Sequence, residues 1–188
     1  PFPGWTLPGV YTLGGSQVAL KHQGCVVGRR TIFLGSTPLL YLAAYQYVKA
    51  GAEVVAVLDT ASFSSKVRAA PKMLSNAPMF AKGLYIMAVL RRFGVPIENG
   101  VRPVAVEGED AVSGLCYRRR GGGEVHIKCD AVASGFGLRP ESQLADLAGC
   151  DFRFDPVFRQ WLPQSTGDGR VGNGVYLAGD GARIGGAD

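Results

Sequence analysis

Two predicted strand ends carry residues whose types and spacing could bind a cofactor. The first is Gly179-Asp180-Gly181, which follows residues 175–178, a short apolar run typical of a buried strand. A carboxylate at such a place can accept hydrogen bonds from ligand hydroxyl groups, and glycines let backbone N–H groups approach a phosphate. Because a further glycine-rich run follows, the pattern indicates a cofactor-binding loop. The alternative is a plain strand-end turn in which Asp180 caps a helix.

The second candidate is the turn at residues 35–40, which follows an apolar run at 31–34. A dinucleotide-binding turn reads Gly-x-Gly-x-x-Gly, and its second glycine lets backbone approach a pyrophosphate at a helix start. Here the turn reads GSTPLL, with the first glycine alone. Asp59 ends the next apolar run, where an acidic group can bind a ribose hydroxyl, although aspartate is also common in turns. Two interpretations stay open, a weakened NAD(P)-type site and a domain of that shape without one; the residues concerned are Gly35, Ser36, Thr37 and Asp59.

Neither residue type nor spacing identifies a catalytic acid, base or nucleophile. The two histidines, His22 and His126, fall on a short polar helix and on an alternating strand, and we expect neither to be catalytic. The cysteines form neither a CxxC motif nor a metal-ligand spacing, which predicts no metal site and no redox dithiol within this chain; they are Cys25, Cys116, Cys129 and Cys150. Unpaired thiols of this kind are typical of a cytoplasmic protein.

The composition argues against several other classes of protein. The 188 residues are 47% hydrophobic and 19% charged, which is typical of a folded globular protein and not of a disordered one. The net charge is only +5, and the arginine clusters are short and lack interleaved aromatic residues, so we expect no nucleic-acid surface. The apolar runs are far shorter than the roughly 20 residues of a membrane span, so we expect no membrane span.

The predicted strands and helices alternate along most of the chain. In order, they are strand 31–34, helix 39–49, strand 53–58, helix 63–76 with a break at Pro71, helix 79–92, strand 95–98, alternating strands 103–107, 112–119 and 124–129, strand 131–133, helix 141–147 and a buried strand 175–178. This order predicts an α/β fold: a Rossmann-like domain, with a parallel sheet plus a three-stranded antiparallel meander, flanked by pieces of a second domain.

Several motifs together resemble the two-dinucleotide-binding flavoproteins of the pyridine nucleotide–disulfide oxidoreductase superfamily. In that superfamily an NAD-type domain is inserted into an FAD domain, which resumes at Gly-x-x-Pro and later carries a Gly-Asp flavin motif. Residues 137–140 (GLRP) and Gly179-Asp180 match these two motifs. Residues 3–12 (PGWTLPGVYT), with Gly14-Gly15, more particularly resemble the FAD-containing A or alpha subunits of opine oxidase, hydrogen cyanide synthase and related amino-acid and proline dehydrogenases.

The resemblance implies a division of the chain into three parts. Residues 1–24 would connect from the FAD-type domain, 25–136 would form the NAD(P)-type domain, and 137–188 would be the C-terminal part of the FAD-type domain. The loop with Gly179, Asp180 and Gly181 would then bind FAD. The family's N-terminal FAD fingerprint has no counterpart in this sequence, so we expect a piece of a longer protein that is inactive by itself.

The resemblance also implies an activity, with two alternatives. The leading hypothesis is an FAD-dependent oxidoreductase subunit in the cytoplasm that transfers electrons during oxidation of an amine, amino acid, imino acid or opine, together with a second flavoprotein subunit. One alternative is an NAD(P)H-dependent flavoprotein reductase, in which Gly35, Ser36 and Asp59 still hold the nucleotide. The other is a scaffold region that docks a partner subunit. The cysteine pair of the disulfide reductases is absent, so that chemistry is not implied.

Overall fold

A computed structural model describes residues 2–73, 77–156, 158–172 and 174–182. Backbone contacts divide the chain into two units, Pro1–Phe136 and Gly137–Asp188. In chain order, the first unit contains β1 (Val10–Thr12), α1 (Leu13–His22), β2 (Arg30–Gly35), α2 (Pro38–Lys49), β3 (Glu53–Asp59), α3 (Phe63–Met73), α4 (Ala77–Arg92), β4 (Ile97–Asn99), β5 (Arg102–Glu107), β6 (Gly114–Arg118), β7 (Glu124–Lys128) and β8 (Ala131–Gly135).

Five strands of the first unit form one parallel sheet in the order β1-β8-β2-β3-β4. The remaining strands, β5, β6 and β7, form a separate antiparallel sheet. The parallel register places Gly35 opposite both Asp59 and Gly135, so the carboxyl ends of three neighbouring strands lie side by side. The predicted α/β fold with a parallel sheet and a meander is confirmed.

Alternation along β2 and β3 divides the apolar core between the two faces of the parallel sheet. Successive side chains of a strand point to opposite faces. Phe33 and Val57 pack on one face with residues of α1, α2 and α4. Ile32, Leu34 and Leu58 pack on the other face with residues of the meander. The sheet is thus covered on both sides, which explains why its central strands read as nearly continuous apolar runs.

The second unit consists of short elements. They are α5 (Gln143–Leu147), β9 (Phe152–Asp155), β10 (Gln160–Pro163), β11 (Arg170–Gly172), β12 (Val175–Tyr176) and a 3₁₀ turn at Gly179–Gly181. β9 pairs antiparallel with β10, and the rings of Phe154 and Trp161 meet edge to face with centroids 5.6 Å apart. β11 pairs antiparallel with β12.

The structure corrects four sequence-based expectations. The sequence pattern did not predict β1, β9, β10 and β11, because each is a strand of three or four residues. The strand at 175–178 is not buried: β12 pairs only within a two-stranded ribbon, and Tyr176 is exposed. The strand predicted at 95–98 begins at Ile97, since the Val95 amide still donates to the Leu90 carbonyl at the end of α4.

The fourth correction concerns proline in a helix. α3 continues through position 71 to Met73, whereas the sequence predicts a break at Pro71. A proline removes one backbone hydrogen bond and costs roughly 3 kcal/mol, but the bonds before and after it can maintain the helix. The predicted end of this helix at Asn76 lies outside the described residues.

Candidate functional site

The first candidate site lies where β2, β3 and β8 end. Gly35, the one glycine of the dinucleotide-type turn, is fixed there by packing. A Cβ atom built on Gly35 would lie 1.9 Å from the carbonyl oxygen of Gly135, so only glycine fits between the two strands. The Gly35 carbonyl itself accepts a hydrogen bond from the Thr60 amide at 2.7 Å. The contact between strands therefore explains this glycine without a ligand.

Two of the backbone donors of the same turn are used inside the chain, and a third position has no donor. The Ser36 amide donates to the Gly135 carbonyl at 3.1 Å, and the Leu40 amide donates to the Thr37 carbonyl at 3.0 Å. Pro38, the first residue of α2, has no N–H group. A dinucleotide pyrophosphate is normally bound by free amides at this helix start. The turn therefore offers few of the donors that such a ligand needs.

Asp59, predicted at the ribose position, is buried with partners from its own chain. It is 1% exposed. One carboxylate oxygen, Oδ2, lies 2.6 Å from Nζ of Lys66 and accepts a hydrogen bond from the Tyr41 hydroxyl at 2.6 Å. The other, Oδ1, accepts from the Ala61 amide at 2.7 Å. A buried charge needs such pairing, and here the pairing consumes the acceptors that a ribose would use.

Lys66 ties this group of residues together. Its ammonium donates to the Tyr41 hydroxyl at 2.5 Å and also to the side-chain oxygen of Asn99 at the end of β4. Burial, followed by the hydrogen bond to Asp59, raises the pKa of Tyr41 above its usual value, so the phenol stays protonated and can donate. We call Tyr41, Asp59, Lys66 and Asn99 the Asp59 cluster. It fills the end of the sheet with the chain's own polar groups.

The sequence identifies Asp59 alone among these four residues. Tyr41 and Lys66 lie on two helices, and Asn99 ends a three-residue strand, so the spacing along the chain does not link them. The one available signal is topological. Asn99 is opposite Asp59 in the register of two parallel strands, and polar residues at neighbouring strand ends are brought together by a parallel sheet.

A second polar group joins β4 to the meander. Tyr117, which is fully buried, donates a hydrogen bond to Glu98 at 2.8 Å, and Arg119 binds both oxygens of the same carboxylate at 2.6 and 2.9 Å. The hydrogen bond from Arg119 is the main reason that the pKa of Glu98 lies below its usual value. Burial, together with Glu98, raises the pKa of Tyr117 to about 12. A cleft of about 240 Å³ lies here, lined by Glu98, Asn99, Val101, Arg119 and Arg120.

The raised pKa of Tyr117 predicts a loss of stability in alkali. Well below pH 10, the ordinary tyrosine pKa, both the folded and unfolded states keep the proton. Between there and about 12 the unfolded state loses it first, so the free energy of unfolding falls by about 2 kcal/mol. Denaturant titrations should show Tyr117→Phe less stable than wild type at pH 8, with the difference vanishing by pH 12.

The matched control is Tyr176→Phe, because Tyr176 is exposed on β12. Its stability should follow the wild-type curve throughout this pH range. A constant difference between wild type and Tyr117→Phe from pH 8 to pH 12 would show that Tyr117 does not titrate late.

The second candidate site is the loop of the second unit that contains the predicted flavin motif. Gly179, Asp180 and Gly181 form a 3₁₀ turn, and Gly179 has φ +60°, a left-handed conformation that glycine adopts without strain. The Ala182 amide donates to the Gly179 carbonyl at 3.1 Å and closes the turn. Asp180 is exposed, and its carboxylate has no hydrogen-bond partner in the described part of the chain. Residues 183–188 of the predicted glycine-rich run lie outside the described residues.

A cleft of about 500 Å³ adjoins this turn. It is lined by Ser165, Thr166, Gly167, Asp168, Gly169, Leu177, Ala178, Gly179, Asp180 and Ala182. Most of these residues are glycine or small polar residues, and backbone carbonyl and N–H groups therefore contribute much of the surface. The loop at 165–169 is held by the Gly169 amide, which donates to the Thr166 carbonyl at 2.9 Å. Such a surface suits a polar, hydroxylated ligand better than an apolar one.

The structure also locates the two histidines. His22 lies in the last turn of α1 and is exposed. His126 lies on β7, where its Nδ1 atom is 2.5 Å from an oxygen of Glu107.

None of the helices among the described residues has the length and apolar character that crossing a membrane requires.

Comparison with known proteins gives close relatives. The chain is 38% identical over 191 residues to the A subunit of opine oxidase from Agrobacterium tumefaciens, an alignment covering 100% of the chain and 37% of that protein. The predicted resemblance is confirmed. The chain is also 30% identical over 201 residues to the HcnB subunit of hydrogen cyanide synthase from Pseudomonas aeruginosa, covering 100% of the chain and 42% of HcnB. The chain thus spans about two-fifths of the length of the curated relatives it matches. No protein-family model matches it.

Solved structures show the same fold. Thioredoxin reductase from T. acidophilum aligns with a TM-score of 0.61 at 17% identity, covering 96% of this chain and 52% of that one. L-proline dehydrogenase from P. horikoshii aligns with a TM-score of 0.56 at 17% identity, covering 96% of this chain and 27% of that one. At such low identity these two structures establish the fold of the chain and nothing more.

Proposed function

We propose that the chain is part of an FAD-dependent oxidoreductase subunit of the opine oxidase type. Its reaction would be the oxidation of an amine, amino acid, imino acid or opine, with the subunit transferring electrons. The observation that carries this proposal is the similarity of the entire chain to the A subunit of opine oxidase. A second relative, HcnB, is named as one subunit of hydrogen cyanide synthase.

The residues of the second unit fit a flavin nucleotide. The exposed carboxylate of Asp180 would accept a hydrogen bond from a hydroxyl of the ribityl chain, and the turn at Gly179 and Gly181 would bring backbone N–H groups to a phosphate. The glycines matter because a side chain would keep a ligand away from the backbone. When bound, FAD supplies the redox chemistry, and the protein orients and tunes it.

The proposal includes a partner, which is a second flavoprotein subunit, and a cytoplasmic location. The relatives are named as subunits, which supports an assembly of different chains. The unpaired cysteines support a reducing compartment: Cys25, Cys116, Cys129 and Cys150 are all free thiols. A scaffold region without its own cofactor is the alternative, and it differs from the proposal in predicting no bound flavin.

We also propose that the Rossmann-like domain does not use NAD(P)H. Lys66 forms an ion pair with Asp59, the carboxylate expected at the ribose position. Pro38 provides no backbone N–H donor in the turn. Binding a ribose would require breaking a buried ion pair, which costs several kcal/mol and therefore a large factor in affinity. This argument disfavours the NAD(P)H-dependent reductase.

Two measurements on the same preparation test the proposal. Full-length protein should hold about one FAD per polypeptide, measured from the flavin absorbance of denatured protein. The same preparation should show no saturable binding of NADH or NADPH up to millimolar concentrations by calorimetry. Protein without flavin that also fails to bind added FAD would contradict the proposed cofactor, and saturable NADPH binding would restore the reductase hypothesis.

A further inference from the structure

The outward face of the meander brings together four side chains with metal-binding chemistry. In β6, Leu115 and Tyr117 point into the core, so Cys116 between them points to the opposite face. Cys116 is directly opposite His126 of β7 in the register. Glu124 lies two residues before His126 and shares its face, while Glu107 comes from β5 on the other side. Although this face is outward, Cys116 is only 3% exposed.

The distances around the thiol are close to those of a tetrahedral metal site. Sγ of Cys116 lies 3.8 Å from Nε2 of His126 and 3.9 Å from Oε2 of Glu124. Zinc bonds of about 2.3 Å to sulfur and about 2.0–2.1 Å to nitrogen or oxygen at tetrahedral angles place ligand atoms about 3.6 Å apart. The two distances measured from Sγ therefore exceed this tetrahedral spacing by only about 0.2 and 0.3 Å.

Glu107 orients the imidazole for this role. Its Oε1 atom lies 2.5 Å from Nδ1 of His126, so Nδ1–H donates to the carboxylate and the lone pair of Nε2 faces the thiol of Cys116. A histidine that binds a metal through one ring nitrogen commonly donates its other ring N–H to a carboxylate. One possible ligand atom each from Glu107, Cys116 and His126 lies within 4.8 Å of the other two.

The carboxylate of Glu124 contacts two partners, one through each oxygen. Oε1 of Glu124 pairs with Arg118 at 2.6 Å, whereas Oε2 faces Cys116. Arg118 thus holds the side chain in place without occupying the oxygen nearest the thiol. All of these residues lie on strands of one sheet, which limits their movement.

We propose that Cys116, His126 and Glu124 bind a zinc ion on the meander, with Glu107 positioning the histidine. The three ligand atoms would be Sγ, Nε2 and Oε2, and a water molecule would complete the tetrahedron. Binding displaces the thiol proton to solvent, and the thiolate and one carboxylate then balance the two charges of the ion. The spacing of the cysteines along the chain gives no sign of this site, because its ligands come from neighbouring strands and only one of them is cysteine.

The same residues could instead be a nucleophilic Cys–His–Glu triad, and the structure disfavours this. Burial raises the pKa of the Cys116 thiol, and the carboxylates of Glu124 and Glu107 raise it further, whereas an activated nucleophile needs a lowered pKa. Cys116 as a whole is also only 3% exposed, which leaves little room for a substrate to reach it. With a metal ion bound, the same carboxylates favour the thiolate instead of the thiol, because they attract the cation that stabilises the thiolate.

The test is a metal titration of the full chain without a histidine tag. Zn²⁺ added against a chromogenic chelator should bind at one site per chain, and Co²⁺ should give a near-ultraviolet thiolate-to-cobalt charge-transfer band. Cys116→Ala and His126→Ala should each weaken Zn²⁺ binding at least 100-fold and abolish the band. Glu124→Gln and Glu107→Gln should weaken it about 10- to 100-fold. His126 is exposed, so its variant tests the site even if Cys116→Ala fails to fold.

The matched control is Cys25→Ala, because Cys25 is an exposed thiol elsewhere in the first unit. Its Zn²⁺ affinity should equal that of wild type. Three results would overturn the proposal: binding that survives in His126→Ala, binding seen only at millimolar Zn²⁺, or rapid alkylation of Cys116 by iodoacetamide that depends on His126 and is unaffected by Zn²⁺. The last result would establish the nucleophilic triad instead.

Discussion

Replacing Lys66 by methionine is expected to lower the free energy of unfolding by about 3 kcal/mol. Methionine keeps most of the length of the side chain but removes the cation that pairs with Asp59 at 2.6 Å. Asp59 is 1% exposed, so the variant leaves a buried carboxylate with only the Tyr41 hydroxyl and the Ala61 amide as donors. Breaking a buried ion pair by removing one partner costs about 3–5 kcal/mol. Urea unfolding followed by circular dichroism measures the difference.

Two further variants decide whether the cause is the buried charge. The double variant Asp59→Leu with Lys66→Met should be more stable than Lys66→Met alone, because no unpaired charge remains. The matched control is Arg30→Met, which breaks the Arg30–Glu53 ion pair at 3.0 Å. Both partners of that pair are about half exposed, so its loss should cost less than about 1 kcal/mol. Equal costs for Lys66→Met and Arg30→Met would show that the buried charge of Asp59 is not the cause of the instability.

The second large effect is expected on flavin binding. Asp180→Ala in the full-length protein should weaken FAD binding about 10- to 100-fold, because it removes a charged acceptor for a ligand hydroxyl. The side chain is exposed and lies at the cleft of the second unit, so the fold should be unaffected. Fluorescence titration of the apoprotein with FAD measures the dissociation constant, and circular dichroism checks the fold.

Asp146→Ala is the matched control for this variant. Asp146 is another exposed carboxylate of the second unit, on α5, and it does not line the cleft. Its substitution should leave the dissociation constant of FAD unchanged. If Asp180→Ala and Asp146→Ala bind FAD equally well, the Gly-Asp motif does not hold the flavin.

The sequence predicts most of the first unit because local patterns and the core agree there. Ile32, Phe33 and Leu34 alternate between the two cores of a sheet covered on both faces, and this produces the apolar run from which the strand is predicted. The meander is predicted from alternation and glycine-containing turns in the same way. Strands of three or four residues, such as β1, carry too few side chains for any pattern to appear.

The two candidate sites differ in how many of their residues can be predicted from the sequence. The turn at Gly179–Gly181 is continuous in the chain, so its residue types alone suggest what it binds. Asp59 is also evident from its place after a strand, but its partners Tyr41 and Lys66 come from separate helices. Only tertiary packing brings that ammonium to the carboxylate. The same limit applies to Cys116 and His126, which meet through strand pairing.

The most direct test of the central claim follows the colour of the flavin in the assembled enzyme. Full-length protein, purified together with the proposed flavoprotein partner, is mixed anaerobically with opines, L-proline or amines, and separately with NADH or NADPH, while flavin absorbance is recorded. We predict that a member of the first group bleaches the flavin and that neither nucleotide does. Bleaching by NADPH, with no response to any amine, amino acid or opine, would contradict it.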